Sequence, residues 1–264
     1  MPIVARHPAQ ERRAEIVRLA TTTGLASVED LSASLGVTAS TIRRDLAKLT
    51  NQGKLARTYG GAISLGHHPE ASLRQRLGEA YAAKRAIARW AATQVEPGET
   101  ILLDAGSTTG ALADELCAST ELTELTVVTA GISAMARLAE ANFDVIALGG
   151  RLRPLSQAFV GPLTESAVQR VSFDRAFMGA DAVHADRGIC EAALDQTRLK
   201  ELIMNRAERT YVLAHGEKLG QSPFHAWALM PARWTLVTDE SAEPEQLDRF
   251  RGNGIEVVVA PAIS

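Results

Sequence analysis

The spacing of apolar positions divides the chain in two. In residues 9–22, Ile16, Leu19 and Ala20 fall at helical intervals and Gly24 follows as a stop, which predicts a first helix. Ser27 is placed to cap a second helix, Val28 to Leu35, and Gly36-Val37 turns the chain out of it. A third helix starts at the Thr38 cap and runs to about Gln52, ended by Gly53. Two short helices joined by a tight, glycine-containing turn make a helix-turn-helix, and residues 53–62 after it read as a short hairpin. Between 71 and 95, Leu73, Leu77, Tyr81, Ile87 and Trp90 recur at mostly helical intervals, which predicts one connecting helix closed by Pro97-Gly98. From Glu99 the pattern changes. Short apolar runs at 100–103, 125–128, 145–148, 176–178, 210–213, 235–237 and 256–259 read as strands, with helical patterns near 109–118, 131–140, 163–170, 193–207 and 243–251. This alternation specifies an open, largely parallel α/β sheet. The expected domains are residues 1–65, a linker and connecting helix over 66–98, and an α/β domain over 99–264.

On the third helix Ile42, Leu46 and Leu49 are spaced i, i+4, i+7 and face inward. The opposite side carries Ser40, Arg44, Lys48 and Asn51, flanked by Thr41 and Arg43. These are the residue types that bond phosphates and base edges in a major groove. A solvated helix face would look the same if the charges stood alone. They are followed at once by the hairpin, whose Arg57 and Tyr59 are placed to reach the DNA backbone or minor groove as a wing. Asp45 is read as structural, pairing with Arg43 or Lys48, because DNA phosphates repel a carboxylate.

In an open parallel sheet, ligands bind beyond the carboxyl ends of the strands. The small and polar residues of the second part fall just there: 104–109, 129–131, 149–151, 179–181, 215–218 and 238–239. The first of these loops, Asp104-Ala105-Gly106-Ser107-Thr108-Thr109-Gly110, joins a buried strand to a helix start, where backbone N–H groups and the helix dipole converge on an anion. It is neither a Walker loop nor a Gly-x-Gly-x-x-Gly fingerprint, so no nucleotide cofactor is implied. Hydroxyls at a helix start suit a phosphate monoester, with Lys218 or Arg151 balancing its charge and Asp104 and Asp181 accepting from sugar hydroxyls.

Composition adds an asymmetry. The 264 residues carry a net charge of −3 and are 46% hydrophobic, enough for an ordinary core. Residues 1–65 hold nine basic against five acidic side chains, while the remainder hold nineteen against twenty-six. A small basic unit joined to a larger acidic domain fits a nucleic-acid reader coupled to other work. No run approaches the ~18 apolar residues of a membrane span, so no membrane partner and a cytoplasmic location are expected. Cys117 and Cys190 have no metal-site spacing, and the adjacent His67 and His68 diverge, so no metal is expected.

The string Thr41-Ile42-Arg43-Arg44-Asp45-Leu46, then Leu49, Gly53, Leu55, Arg57 and Gly60-Gly61-Ala62, resembles the winged helix-turn-helix signature of the DeoR family of bacterial transcription regulators. The resemblance extends through Asp104-x-Gly-Ser-Thr-Thr, Thr129, Gly149-Gly150, Val160-Gly161, Gly179-Ala180-Asp181, Gly188, Lys218-x-Gly220 and Thr238-Asp239. It implies an effector domain related in fold to ribose-5-phosphate isomerase and the CoA-transferase group, sensing phosphorylated sugars. It implies further that Ser107, Thr108 and Thr109 hold phosphate, with Asp104, Thr129, Gly150, Asp181 and Lys218 around the sugar; Gly106 of the loop and Arg151 complete the expected effector-binding set. Arg76 and Lys84 match an Arg and a Lys of the family's connecting segment. Two positions depart from the pattern: His215, where an acidic residue is common, and Ala182, where glycine is common.

The expectation is a transcriptional regulator, a repressor of carbohydrate catabolism, that binds double-stranded operator DNA as a dimer or tetramer and answers to a phosphorylated sugar. The alternative is a sugar-phosphate isomerase with an accessory DNA-binding domain, using Glu191, Asp195 or Asp181 as its base.

Overall fold

The computed structural model describes residues 8–23, 26–51, 56–58, 61–63, 70 and 72–262. The chain forms two compact units, Met1–Glu70 and Ala71–Ser264.

The first unit holds α1 (Ala9–Thr23), β1 (Ala26–Ser27), α2 (Val28–Leu35), α3 (Ala39–Asn51), β2 (Ala56–Thr58) and β3 (Gly61–Ile63). Ile16 of α1, Val28, Leu31 and Leu35 of α2, and Ile42, Leu46 and Leu49 of α3 form its core. The α2–α3 turn needs Gly36, whose φ of 61° is in the left-handed region, and Ser32 closes it by donating to the Val37 carbonyl at 2.5 Å. β3 pairs antiparallel with both β1 and β2, so the hairpin is the wing.

The second unit opens with α4 (Leu73–Gly78) and α5 (Tyr81–Ala92). The single connecting helix expected over 71–95 is therefore two helices. The chain breaks at Ala80, whose φ is 46°. The buried Lys84 ammonium holds the break by donating to the Arg76 carbonyl at 2.5 Å and the Glu79 carbonyl at 2.6 Å, a cation set on the carbonyl end of a helix.

Then follow β4 (Thr100–Leu103), α6 (Ser107–Ala118), β5 (Thr126–Thr129), α7 (Ile132–Leu138), β6 (Asp144–Ala147), the hairpin β7 (Arg151–Arg153) and β8 (Ala158–Val160), α8 (Pro162–Val168) and β9 (Phe173–Met178). The chain ends with β10 (Ala182–His184), β11 (Gly188–Glu191), α9 (Leu194–Met204), β12 (Ala207–Leu213), β13 (Ala226–Ala228), β14 (Thr235–Asp239), α10 (Pro244–Gly252) and β15 (Glu256–Ala260). All seven expected strands join one parallel sheet in the order β15-β14-β12-β9-β4-β5-β6. Alternate residues serve its two faces. Ile101 and Leu103 pack with Leu112 and Leu116 of α6 and Ala88 of α5, while Leu102 packs with Leu199 and Ile203 of α9 and Phe250 of α10. The small sheet β10-β11-β13 and the hairpin β7–β8 were not expected, because three- and four-residue strands carry too few positions to show a period.

The strand order contains one reversal of direction. From β4 the chain builds outward through β5 and β6; from β9 it builds the other way through β12, β14 and β15. Loops leaving adjacent strands in opposite directions open a crevice between the carboxyl ends of β4 and β9.

Candidate functional site

Asp104 and Gly179 stand at that crevice. The Asp104 carboxylate accepts the N–H of Ala105 (2.8 Å) and the N–H of Gly179 (3.1 Å), stitching the ends of β4 and β9 together. Lys200 of α9 donates to the same carboxylate and to the Gly179 carbonyl (2.9 Å), and its Nζ lies 3.2 Å from Glu191 Oε1 at the end of β11. Burial opposes the Lys200 charge, but Asp104 and Glu191 outweigh it and raise its pKa above the ordinary lysine value. Glu191 is pushed up to about 8 by burial, despite Lys200, with Asp181 and Asp104 adding to the rise.

Over this buried stitch lies a narrow, closely packed cleft. Ser107 and Thr108 at the start of α6 form one wall. Among the described residues no side chain caps α6, and Gly110 is the first N–H to find a backbone acceptor, the Gly106 carbonyl at 3.0 Å. The first-turn N–H groups are thus left for a ligand, at the positive end of the helix dipole. Arg76 of α4 enters the cleft and donates to Asp181 at 2.5 Å; Lys218 borders it and donates to the Ala180 carbonyl at 2.5 Å. Burial pushes the Lys218 ammonium down to about 8, helped by Arg76 and Lys84 and resisted by Asp181.

The cleft is unfinished as a hydrogen-bonding system. Arg76 Nε, Asp181 Oδ2, Ser156 Oγ and Gln196 Oε1 are buried in or beside it with no partner among the described residues. Buried polar atoms without partners are rare in folded proteins, and four at one cleft leave a donor and several acceptors for a ligand.

The expected effector residues separate by place. Gly106, Ser107, Thr108 and Lys218 line the cleft, and Asp181 lies beside it through Arg76. Asp104 is beneath it, with both oxygens engaged by the protein. Thr109 is fully buried and turns its hydroxyl to the Gly106 carbonyl (3.2 Å). Thr129 is buried behind, accepting the Gly131 N–H at 3.0 Å. Gly150 packs on α8, where an added Cβ would meet Thr164 Oγ1 at 2.2 Å, and Arg151 pairs at the surface with Asp195. Of the carboxylates weighed as an isomerase base, Glu191 lines the cleft and Asp195 does not. His215 lies outside the lining; burial, then Lys218 and Lys84, push its pKa down to about 4, so its ring is neutral at pH 7. Among the described residues no group of three or more His, Cys, Asp or Glu side chains is placed to hold a metal ion. His67 and His68 lie outside the described residues.

In the first unit, Ser40, Arg43, Arg44 and Lys48 are exposed on α3 and Thr41 is half-exposed. Thr38 Oγ1 lies 2.9 Å from Ser40 Oγ and 3.0 Å from Thr41 Oγ1, an N-terminal hydroxyl cluster beside the arginines. Asp45 does not pair with Arg43 or Lys48 as expected. It lies on the inner side with Ile42, Leu46 and Leu49, and Arg12 of α1 donates to it at 2.7 Å. Arg57 is on β2 opposite Ala62, its side chain outside the description; Tyr59 and the Asn51 side chain are also outside it.

Two family descriptions match: the DeoR-like helix-turn-helix domain over residues 12–67 and the DeoR C terminal sensor domain over residues 79–240. The chain belongs to the DeoR family. Its relatives include a protein of Escherichia coli O157:H7 whose name assigns it, provisionally, to repression of the aga operon (33% identical, covering 94% of this chain and 93% of the other). The HTH-type transcriptional regulator GlpR of Haloferax volcanii is 32% identical over 94% of this chain and 96% of its own. The lactose phosphotransferase system repressor of Staphylococcus aureus strain N315 is 30% identical over 94% and 98%. Ribose 5-phosphate isomerase A of Methanocaldococcus jannaschii superposes on 51% of this chain and 52% of its own, at 20% identity and a TM-score of 0.38.

For this DeoR-family regulator, reasoning from the residues alone missed Lys200, Gln196 and Ser156. Gln196, Leu199, Lys200 and Ile203 share the buried stripe of α9, so a lysine and an amide on an otherwise apolar helix face were the available signal. Ser156 is in the turn between β7 and β8 and carried none.

Proposed function

We propose that this regulator is a repressor of a carbohydrate-catabolism operon, acting in the cytoplasm as a homodimer or tetramer, whose hold on operator DNA is set by a phosphorylated sugar in the cleft beneath α6. The observation that carries the reading is the uncapped α6 N-terminus, which shares with Arg76 and Lys218 a cleft where Arg76 Nε, Asp181 Oδ2, Ser156 Oγ and Gln196 Oε1 lack partners among the described residues. The helix end and the two cations supply the complement of a phosphate; Asp181 Oδ2, Ser156 Oγ and Gln196 Oε1 supply acceptors for hydroxyl groups. The relatives' names, attached to sugar operons, point the same way. Paired α3 helices reading two half-sites require at least two copies. The ligand acts only through its different affinity for the DNA-bound and released arrangements, a coupling of about 1–3 kcal/mol.

We assign Glu191 to the site's electrostatics and not to proton transfer, because its carboxyl is committed to Lys200 beneath the cleft. The test is a melting-temperature screen of the full chain against sugar phosphates, the hits then added to an operator gel shift. Stabilisation of about 2.7 kcal/mol at 100 times the dissociation constant, together with loss of the DNA complex, is expected. Conversion of an aldose phosphate to its ketose, or indifference to every sugar phosphate, would reverse the assignment.

A further inference from the structure

The residues lining the cleft fall into two chemically different sets. One is the α6 start with Arg76 and Lys218, rich in donors and positive charge. The other is Ser156 with Gln196. Ser156 is 2% exposed, in the turn of the β7–β8 hairpin, and that turn is held on both sides: the Leu155 carbonyl accepts the Leu73 N–H at 2.8 Å, and the Gln157 carbonyl accepts the Ile132 N–H at 3.0 Å. Gln196 is 9% exposed, in the first turn of α9 and one helical turn before Lys200, which is anchored to Asp104. Both side chains are therefore fixed by rigid surroundings, yet Ser156 Oγ and Gln196 Oε1 have no hydrogen-bond partner among the described residues. An apolar side chain at either place would remove that cost, so two uncharged polar groups are held open against stability.

We infer that Ser156 and Gln196 are the specificity-determining pair of the effector site, reading the hydroxyl pattern of the sugar while the α6 start with Arg76 and Lys218 takes the phosphate. This rests on the sugar-phosphate reading of the cleft. Neutral groups suit the task. An uncharged amide and a hydroxyl each accept and donate, so they match one arrangement of hydroxyls and leave a polar atom buried and unpaired against its epimer. The phosphate contributes to every sugar phosphate alike and supplies no such discrimination.

The test compares the full-length wild type with Ser156→Ala and Gln196→Met, titrated with inorganic phosphate and with hexose 6-phosphates that differ in configuration at a single carbon. Two results are expected together. Without ligand, each variant melts no lower than wild type, since an orphaned polar atom has been removed. With ligand, Gln196→Met and Ser156→Ala narrow the affinity spread among epimers by roughly tenfold, while the affinity for inorganic phosphate changes less than about twofold. An unchanged epimer ranking and spread in both variants overturns the pair's role and leaves the phosphate reading of the α6 start standing. Wild type that binds inorganic phosphate but favours no sugar phosphate over it has the same consequence. Wild type that binds neither overturns the cleft reading itself, and this inference with it.

Discussion

Arg76 Nη1 lies 2.5 Å from Asp181 Oδ1, joining the helix that follows the DNA-reading unit in sequence to the loop that leaves β9. Both side chains are largely buried, and each retains one unpaired polar atom, Arg76 Nε and Asp181 Oδ2. The pair is thus satisfied only in part, and a phosphate or hydroxyl arriving in the cleft competes for it. Arg76→Ala takes from the buried Asp181 its ion-pair partner, so a loss of roughly 2–3 kcal/mol in urea unfolding and loss of the effector response in a gel shift are expected. A variant of wild-type stability that still releases DNA on sugar-phosphate addition removes Arg76 from the site.

Lys218 makes anion binding pH-dependent. Its ammonium is pushed down to about 8 in the free protein, and an anion beside it favours the charged form. Affinity for sulfate, whose charge is constant over this range, is therefore expected to be flat below pH 7 and to weaken steadily above about 8, with proton uptake on binding. Isothermal titration in buffers of different ionisation enthalpy measures that uptake. Lys218→Met should abolish it; an uptake unchanged in the variant assigns the proton elsewhere.

Two buried groups give opposite slopes to stability against pH. Glu191 has its pKa raised to about 8 from an ordinary 4.5, so the folded state holds a proton that the unfolded chain releases; stability falls as pH rises through that window. His215 is lowered to about 4 from 6.5, so the unfolded chain binds a proton that the folded state refuses; stability falls as pH drops from 6.5 towards 4. Glu191→Gln should flatten the alkaline side and His215→Asn the acid side, read as melting temperature from pH 4 to 9. Profiles that keep the wild-type slopes would show that other groups carry them.

Gly131 tests how the loops support one another. A Cβ there would stand 2.9 Å from Ala105 Cα, backbone that runs directly into the α6 cradle. Gly131→Ala is expected to cost about 1–3 kcal/mol and to weaken phosphate binding, although residue 131 is outside the cleft lining. Normal phosphate affinity in a destabilised variant would separate loop packing from cradle geometry.

On the DNA side, the exposed Arg44 and the buried Asp45 are adjacent in sequence and opposite in role. Arg44→Ala should weaken binding to a selected operator duplex by about 1–3 kcal/mol at fixed salt without altering stability. Asp45→Ala should instead destabilise the first unit by releasing Arg12 from its partner at 2.7 Å. Equal operator affinity for Arg44→Ala and wild type takes that residue out of the interface.

The periodicity of apolar residues, a local property, was enough to determine the helix-turn-helix with its inward Ile42, Leu46 and Leu49 and the seven strands of the parallel sheet. The same is true of the α6 start, because a strand, a hydroxyl-rich loop and a helix are consecutive in the chain. Periodicity carries no information about strand order, and order is what puts β4 beside β9 and opens the crevice there. Only the tertiary structure therefore decided that Arg76, Ser156, Gln196 and Lys218 share one cleft, that Lys200 lies beneath it on Asp104, and that Arg151 faces away to Asp195. Asp45 shows the limit within a single helix: its neighbours in sequence are Arg44 and Leu46, but its partner is fixed by how α1 packs across α3, a long-range choice that no local spacing records.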